Sequence, residues 1–164
     1  MSSRRHLKDK EAKQLLRDFI GQYPSSEHAL RSAKTLEELA VDDNSIFIVD
    51  GQPLILRSHI GLIPSLKFEE MVKSLPKVVV DMGAVPHVVN GAQIMRPGIR
   101  ELRGDFSKGD LVAVIDERFG KPIALGLAEM DSTSIRSVKK GKMVLNVHHV
   151  GDKFWSSFMG QMRS

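Results

Sequence analysis

The chain has 164 residues and carries 24 Lys and Arg against 20 Asp and Glu, which gives a net charge of +4 and a sequence pI of about 9.4. It has no cysteine, no apolar run near the ~20 residues that cross a bilayer, and no apolar segment of a secretory signal near its start, so disulfides, thiolate metal sites and membrane spans are excluded and we expect a cytoplasmic protein. A hydrophobic content of 41% fits one or two globular domains, and the basic excess is compatible with a polyanionic partner.

The first predicted element is an amphipathic helix from Lys8 to Gly21, in which apolar residues recur at helical spacing. Acidic residues are interspersed among its basic ones, so we interpret these charges as a solvated face and not as an RNA-binding arm. A loop is predicted at Tyr23–Ser26. Thr35 and Glu38 have the spacing of a capping box, which predicts a second short helix from Leu36 to Ala40.

The pattern then changes to that of strands. Apolar runs at Ser45–Val49 and Leu54–Arg57 lie on either side of Asp50-Gly51, a dipeptide typical of the tight turn of a β-hairpin. Pro53 predicts that the second of these strands lies at a sheet edge or starts late, because proline cannot donate to a ladder. Another short strand is predicted within Ile60–Leu66.

A helix is predicted from Lys67 to Ser74, and Pro76 ends it. This is the best domain boundary in the chain, and we expect domains at residues 1–75 and 76–157 followed by a tail at residues 158–164. Because no flexible linker separates the two halves, they are expected to pack together.

The second half opens with the β-branched strand Val78–Val80. A helix of one or two turns is predicted at Pro86–Asn90, and a strand at Gln93–Met95 that Pro97-Gly98 breaks. The later elements are predicted as strands at 110–116, 123–130 and 142–150, with a bend at Gly126, and a helix at 132–140. Six short strands and two small helices indicate a small mixed barrel, and the whole chain is predicted to be α+β.

Several short motifs follow one another along this half: Asp81, Gly83-Ala84, Gly91-Ala92, Ile94-Met95, Pro97-Gly98-Ile99, Phe106, Gly109-Asp110, Pro122-Ile123-Ala124, Gly126 and Lys140-Gly141. In this order and spacing they resemble a PUA domain, an RNA-binding module, over residues 76–155.

The carboxyl end, with Asn146-Val147-His148, Asp152 and Trp155, is similar to that of the malignant T-cell-amplified-sequence family and its ligatin relatives. In that family a pre-PUA domain precedes the PUA domain, and the first half of the chain resembles it. The resemblance implies a small α/β pre-PUA domain packed on a PUA pseudo-barrel. It also implies a role near ribosome-bound tRNA in translation initiation, re-initiation or recycling.

PUA domains bind RNA through the face made by the first helix, the second strand and the last strand. The resemblance therefore points to seven residues of this face: His87, Asn90, Gln93, Met95, Arg96, Pro97 and Gly98. Amide side chains suit unpaired base edges, and a guanidinium suits bases or phosphates. Met95 lies in the same stretch, but we expect it to fill the barrel. Arg96 departs from the family pattern, so its role is inferred from chemistry alone.

Lys139, Lys140 and Lys142 form a basic cluster that suits the RNA backbone, although cations at the end of a helix would also complement its dipole. His148-His149 is an unfavourable metal pair, because adjacent strand residues point to opposite faces, and no metal or cofactor is expected. With 5% aromatic residues, broad base-stacking platforms are not expected either.

No nucleophile elbow, phosphate loop or zinc-binding helix motif occurs in the sequence, so an enzyme is not predicted. The first hypothesis is a non-catalytic protein that binds tRNA or rRNA, with the small ribosomal subunit or a translation factor as a further partner and no membrane. Two alternatives remain open. One is a protein-interaction adaptor with an exposed apolar patch on its first half, and the other is an accessory subunit of an RNA-modification enzyme.

Overall fold

A computed structural model of the chain describes residues 4–163, with side chains up to residue 160. The chain divides between Ser74 and Leu75 into two compact units, called here the first and the second unit. The elements of the first unit, in chain order, are β1 (Arg4–His6), α1 (Asp9–Gln22), a 3-10 turn (Pro24–Ser26), α2 (Glu27–Leu30), β2 (Leu36–Val41), β3 (Asn44–Val49), β4 (Gln52–Ser58), β5 (Gly61–Pro64) and α3 (Glu69–Ser74).

The first unit is an antiparallel sheet of five strands in the order β1-β2-β3-β4-β5, with its helices contributing to the core. Phe19 of α1 is fully buried and stacks on Phe68, just before α3, with 6.3 Å between ring centroids. The predicted hairpin is confirmed, because Asp50 and Gly51 adopt the positive φ angles of +48° and +85° that its turn needs. The predicted helices at Lys8–Gly21 and Lys67–Ser74 are also confirmed, as α1 and α3.

The predicted helix at Leu36–Ala40 is wrong, because these residues form β2. Thr35 does not cap a helix. Its N–H and hydroxyl donate instead to the Asp50 carboxylate, at 2.8 and 3.3 Å. Glu38 likewise does not reach back along the chain but accepts the Ser45 hydroxyl at 2.6 Å on the paired strand β3. Pairing with β1 and β3 thus outweighs the local capping pattern.

The prediction for Pro53 is also wrong, since β4 starts at Gln52 and lies between two other strands. The register shifts here, so that Phe47 faces Ile55 while Ile48 faces Pro53, and Leu54 is the extra residue of a bulge. A bulge tolerates proline within a sheet because it locally interrupts the ladder that would need the missing N–H.

The second unit contains six strands and three helices among the described residues. Its elements, in chain order, are β6 (Lys77–Val80), α4 (Val85–Val88), β7 (Ile94–Met95), a 3-10 turn (Arg96–Gly98), β8 (Ile99–Arg103), β9 (Leu111–Asp116), β10 (Pro122–Ala128), α5 (Ser132–Ser137), β11 (Lys142–His149) and α6 (Lys153–Arg163).

These strands form one curled sheet in the order β7-β11-β10-β9-β6-β8, in which only the β6–β9 pair, among the described strands, is parallel. Val78, Val80, Val112 and Val114 are fully buried in its core, as the β-branched runs predict. The α+β fold class and the six strands of this unit are therefore confirmed. None of the helices in the described part of the chain is both long and apolar enough to cross a bilayer.

Besides the one-turn helix α2, three elements lie where none is predicted. Strands β1 and β8 are short edge strands with mostly charged residues, which leaves them without an apolar pattern. The third is α6, which runs through the start of the tail predicted from residue 158, and Phe158 in this helix is fully buried. In addition, α5 ends at Ser137 and not at Lys140, and Asp131 is its N-cap. The Ser132 hydroxyl does not cap the helix but donates to the Phe106 carbonyl at 3.2 Å.

Helix α6 is fixed to β11 through Asp152. One carboxylate oxygen accepts the Trp155 N–H at 2.8 Å, and the other accepts the His149 N–H at 3.0 Å and lies 2.8 Å from Nδ1 of the buried His148. Burial of this carboxyl acts to raise its pKa, but the hydrogen bonds from His148 and the two backbone N–H groups prevail, so that the pKa of Asp152 is lowered.

We expect Gly126→Ala to lower the free energy of unfolding of the second unit by about 3 kcal/mol. Gly126 lies where the register of β10 shifts against β11, and a Cβ there would lie 2.6 Å from the Leu145 carbonyl oxygen and overlap the Val144 side chain. Urea titration followed by the fluorescence of Trp155, the single tryptophan, measures the change. Gly160→Ala, in open space within α6, is the matched control and should be neutral or slightly stabilising.

Asp152→Asn should lower the free energy of unfolding at pH 7 by about 1–3 kcal/mol. Because the folded pKa lies below the unfolded value of about 4, the carboxylate stabilises the fold above that pH and loses this effect as pH falls through the folded pKa. The difference in free energy of unfolding between Asp152→Asn and the unaltered chain should therefore become smaller in acid. Asp105→Asn, whose side chain is 91% exposed, is the control, and a gap that stays constant down to pH 3 would contradict the prediction.

Candidate nucleic-acid interface

A cavity of about 340 Å³ lies between α4 and β7 in the second unit. Its walls are mainly apolar, and His87 and Gln93 are the two side chains with polar groups that line it. Gly98 also lines it, at a close approach where a Cβ would lie 3.2 Å from the Ala84 Cβ. Pockets with apolar walls and a few polar groups are typical sites for small planar ligands.

Asp81 directs the chain from β6 into this site. Its N–H donates to the Gly98 carbonyl at 2.9 Å, and its carboxylate accepts the Ala84 N–H at 2.8 Å. These bonds fix the turn both to the segment before β8 and to the start of α4. Pro86 lies in the first turn of α4, where its missing N–H costs nothing. Gly91, at a φ of +94°, then turns the chain towards β7.

Asn146 on β11 holds the segment between α4 and β7 in place. Its side-chain Nδ2 donates to the carbonyls of Val88 and Ala92, both at 3.0 Å, and its backbone N–H donates to the Gln93 Oε1 at 2.7 Å. These three bonds join the last strand to both ends of the cavity wall. Sequence reasoning did not select Asn146 as a site residue, although it belongs to the Asn-Val-His motif that supported the family resemblance.

Arg96 has a structural role that the sequence did not indicate. Its Nε donates to the carbonyls of Ile135 and Val138 at 2.9 and 3.0 Å, and its Nη1 donates to the Ile99 carbonyl at 3.2 Å. The half-buried side chain therefore joins the end of α5 to the start of β8. Its expected contact with RNA stays a prediction, and it would have to use the remaining N–H groups of the guanidinium.

The structure brings the predicted contact residues together around β7. Main-chain bonds place the lysines there, because the Arg96 N–H donates to the Gly141 carbonyl at 2.8 Å and Lys142 pairs with Met95 across the β7–β11 ladder. Six of the predicted residues are exposed, namely His87, Asn90, Pro97, Lys139, Lys140 and Lys142, and three are half-buried, namely Gln93, Arg96 and Gly98.

The basic cluster differs in detail from its prediction. Lys139 and Lys140 lie beyond the end of α5 at Ser137, so they are exposed cations of a loop and not the last turn of a helix. Lys142 lies 3.3 Å from the Glu129 carboxylate, which offsets part of its charge. Lys139 and Lys140 are therefore the stronger candidates for phosphate contacts.

The expectation that Met95 fills the barrel is wrong, because its side chain is 49% exposed at the rim of the cavity. Strand β7 has only two residues, and neighbouring side chains point to opposite faces. Ile94 takes the buried face, so Met95 points outward.

His148 and His149 have different surroundings. His148 is buried against Asp152, while Nδ1 of His149 lies 2.9 Å from the Val150 carbonyl. No group of three His, Asp or Glu side chains within residues 4–160 is arranged to hold a metal ion.

Comparisons with known proteins agree with the fold described above. The family model described as the PUA domain matches residues 76–150. An uncharacterized protein of Methanocaldococcus jannaschii is 34% identical over 153 residues, covering 92% of this chain and 93% of that protein. Translation machinery-associated protein 20 of Saccharomyces cerevisiae is 31% identical over 166 residues, covering 94% of this chain and 92% of that protein. The crystal structure of a PUA domain protein from Aeropyrum pernix, in a tartrate complex, has a TM-score of 0.80 at 29% identity, covering 97% of this chain and 92% of that one.

Asn146→Ala should lower the free energy of unfolding of the second unit by about 1–3 kcal/mol, because the Val88 and Ala92 carbonyls lose a common donor. Hydrogen exchange at the amides of residues 91–93 should also become faster, since this segment loses its attachment to β11. Asn90→Ala is the matched control, because Asn90 is exposed and should change neither quantity. Equal exchange rates in the two variants would contradict the role given to Asn146.

Proposed function

The chain belongs to the PUA-domain family that includes translation machinery-associated protein 20 and the malignant T-cell-amplified-sequence and ligatin proteins, and from this we propose that it contacts tRNA or rRNA during translation initiation, re-initiation or ribosome recycling. Family membership supports the broader role of RNA binding linked to translation. The observation that carries the specific proposal is the cavity between α4 and β7 with exposed lysines beside it.

The cavity suits one unpaired nucleobase. A base is a flat, largely apolar ring with hydrogen-bonding groups at its edge, and the cavity has apolar walls with His87 and Gln93 among them. The Gln93 carbonyl oxygen is taken by the Asn146 N–H, so its amide N–H₂ is the group available to a base edge. Sequence-specific recognition of RNA is typically directed at such unpaired bases in loops and ends.

Lys139 and Lys140 supply the electrostatic part of the interaction. Both are exposed and follow α5, next to the Arg96–Gly141 main-chain bond that borders β7. Phosphate contacts from lysine fix the register of an RNA strand without reading its sequence. The cavity would then select an unpaired nucleotide from a strand already held by its backbone.

In this proposal the protein acts in the cytoplasm as an adaptor between RNA and the translation machinery, without catalysis and without a cofactor. A small ribosomal subunit or a translation factor is the further partner proposed for it.

The signature expected for a purely protein-binding adaptor is an exposed apolar patch on the first half. Within the described side chains, the large hydrophobic residues that are exposed all belong to the second unit: Met82, Met95, Phe119 and Met159. The RNA-binding proposal is therefore preferred.

A filter-binding titration with tRNA tests the proposal. Affinity should fall as salt rises, and replacing Lys139 and Lys140 together by Ala should reduce the slope of log affinity against log salt by about 1.5. Ala92→Phe, which places a ring at the cavity, should weaken binding by about 10-fold while leaving the salt slope unchanged.

The matched control is Ala40→Phe, at an exposed alanine of β2 in the first unit, which should bind as the unaltered chain does. Arg96→Ala is expected to weaken binding too, but it also removes the donors to three carbonyls and so cannot separate binding from stability. Failure to bind any structured RNA at low salt would refute the proposal.

A further inference from the structure

The turn between β9 and β10, residues 117–121, presents an aromatic ring that the cavity site does not use. Phe119 is 72% exposed, whereas the other exposed large hydrophobic side chains of the described chain reach at most 49%. A phenylalanine left exposed contributes none of the stabilisation that burial of its ring would give on folding. Its ring is therefore available at the surface to stack on a ligand.

Asp116 holds this turn in one conformation. Asp116 is 4% exposed, and its carboxylate accepts the backbone N–H groups of Phe119 and Lys121. The turn is closed further by the Gly120 N–H, which donates to the Asp116 carbonyl at 3.0 Å. A ring on such a preformed turn loses little conformational entropy when a ligand stacks on it.

The charged groups at the tip of the turn favour an anionic ligand. The Arg118 guanidinium lies 5.1 Å from the centroid of the Phe119 ring, and Lys121 is exposed on the other side of Gly120. The acidic neighbours are engaged elsewhere, since Glu117 lies 3.3 Å from Nε of Arg100 and Asp116 is surrounded by backbone donors. An exposed ring with one cation beside it and another two residues along the chain has the chemistry of a contact for single-stranded nucleic acid, in which a base stacks and phosphates are neutralised.

The turn also begins beside the cavity. Val80, which lines the cavity, pairs with Asp116 in the parallel β6–β9 ladder, and the Glu117 N–H donates to the Val80 carbonyl at 2.9 Å. Adjacent strands in a sheet are ~4.8 Å apart. The base of the turn is therefore one strand spacing from the cavity wall, within reach of the same RNA strand.

We propose that the β9–β10 turn is a second RNA contact, in which an unpaired base stacks on Phe119 while Arg118 and Lys121 bind the adjacent phosphates. This inference rests on the proposed function and extends it from one nucleotide in the cavity to a stretch of single-stranded RNA. A single ring differs from the broad stacking platforms that the low aromatic content excludes, because it orders one base only.

A double-mutant cycle between the protein and the RNA tests this contact. Abasic sites are introduced one at a time along an unstructured RNA oligonucleotide, and each RNA is titrated by fluorescence polarization against the unaltered chain and against Phe119→Ala. We expect Phe119→Ala to weaken binding by roughly 10-fold. One abasic position should have a similar effect on the unaltered chain and almost none on Phe119→Ala. With Ala92→Phe, a different abasic position should lose its effect, since that variant blocks the cavity.

Further variants separate stacking from general apolar contact. Phe119→Trp should keep the affinity, and its new indole fluorescence should be quenched by RNA, whereas Phe119→Leu should bind as weakly as Phe119→Ala because it has no π face. Stability should not change in Phe119→Ala, since the Asp116 carboxylate binds the backbone N–H and not the ring.

The outcomes are distinguishable. If RNA binds equally well to Phe119→Ala and to the unaltered chain, and no abasic position is coupled to Phe119, this inference is overturned while the proposed function stands. If the unaltered chain binds no RNA, both are overturned. If Phe119→Ala loses a protein partner but not RNA, the turn is a protein contact and the inference is again overturned.

Discussion

Two hydrogen bonds from one amide group determine the shape of the candidate interface. Nδ2 of Asn146 donates to the carbonyls of Val88 and Ala92, which lie on either side of the Asn90-Gly91 turn. Apart from them, β11 is joined to this part of the chain by its pairing with the two-residue strand β7 and by the Gln93 side chain. The cavity is thus a consequence of the last strand of the sheet binding a segment that lies some fifty residues earlier in sequence.

The sequence predicts the elements that are determined locally. The Asp50-Gly51 turn, the buried Val78–Val80 strand and the amphipathic helix α1 all follow from patterns of a few neighbouring residues. Where pairing with strands distant in sequence determines the structure, local patterns predict the wrong element. Thr35 and Glu38 have the spacing of a capping box, but both side chains bond to residues outside a helix. Thr35 donates to Asp50 in the β3–β4 turn, and Glu38 accepts from Ser45 on β3.

The same distinction applies to the interface. The family resemblance pointed to residues of α4, β7 and the turn after it, and the structure places the separately predicted lysine segment beside β7. The resemblance could not indicate that the Arg96 guanidinium donates to the carbonyls of Ile135 and Val138, because those acceptors lie about forty residues away along the chain. Met95 was assigned to the core although the two residues of β7 point to opposite faces. Ile94 is the buried one, so Met95 is exposed.

The strand order of the second unit has a consequence for synthesis on the ribosome. Strand β7 is at one edge of the sheet and pairs only with β11, among the described strands, so a nascent chain that has emerged as far as β10 has β6, β8, β9 and β10 but no template for β7. Contacts this far apart in sequence form late, because a long loop must close first. The candidate interface is therefore completed only when residues 142–149 have left the exit tunnel, so a partly translated chain does not yet present this surface to a ligand.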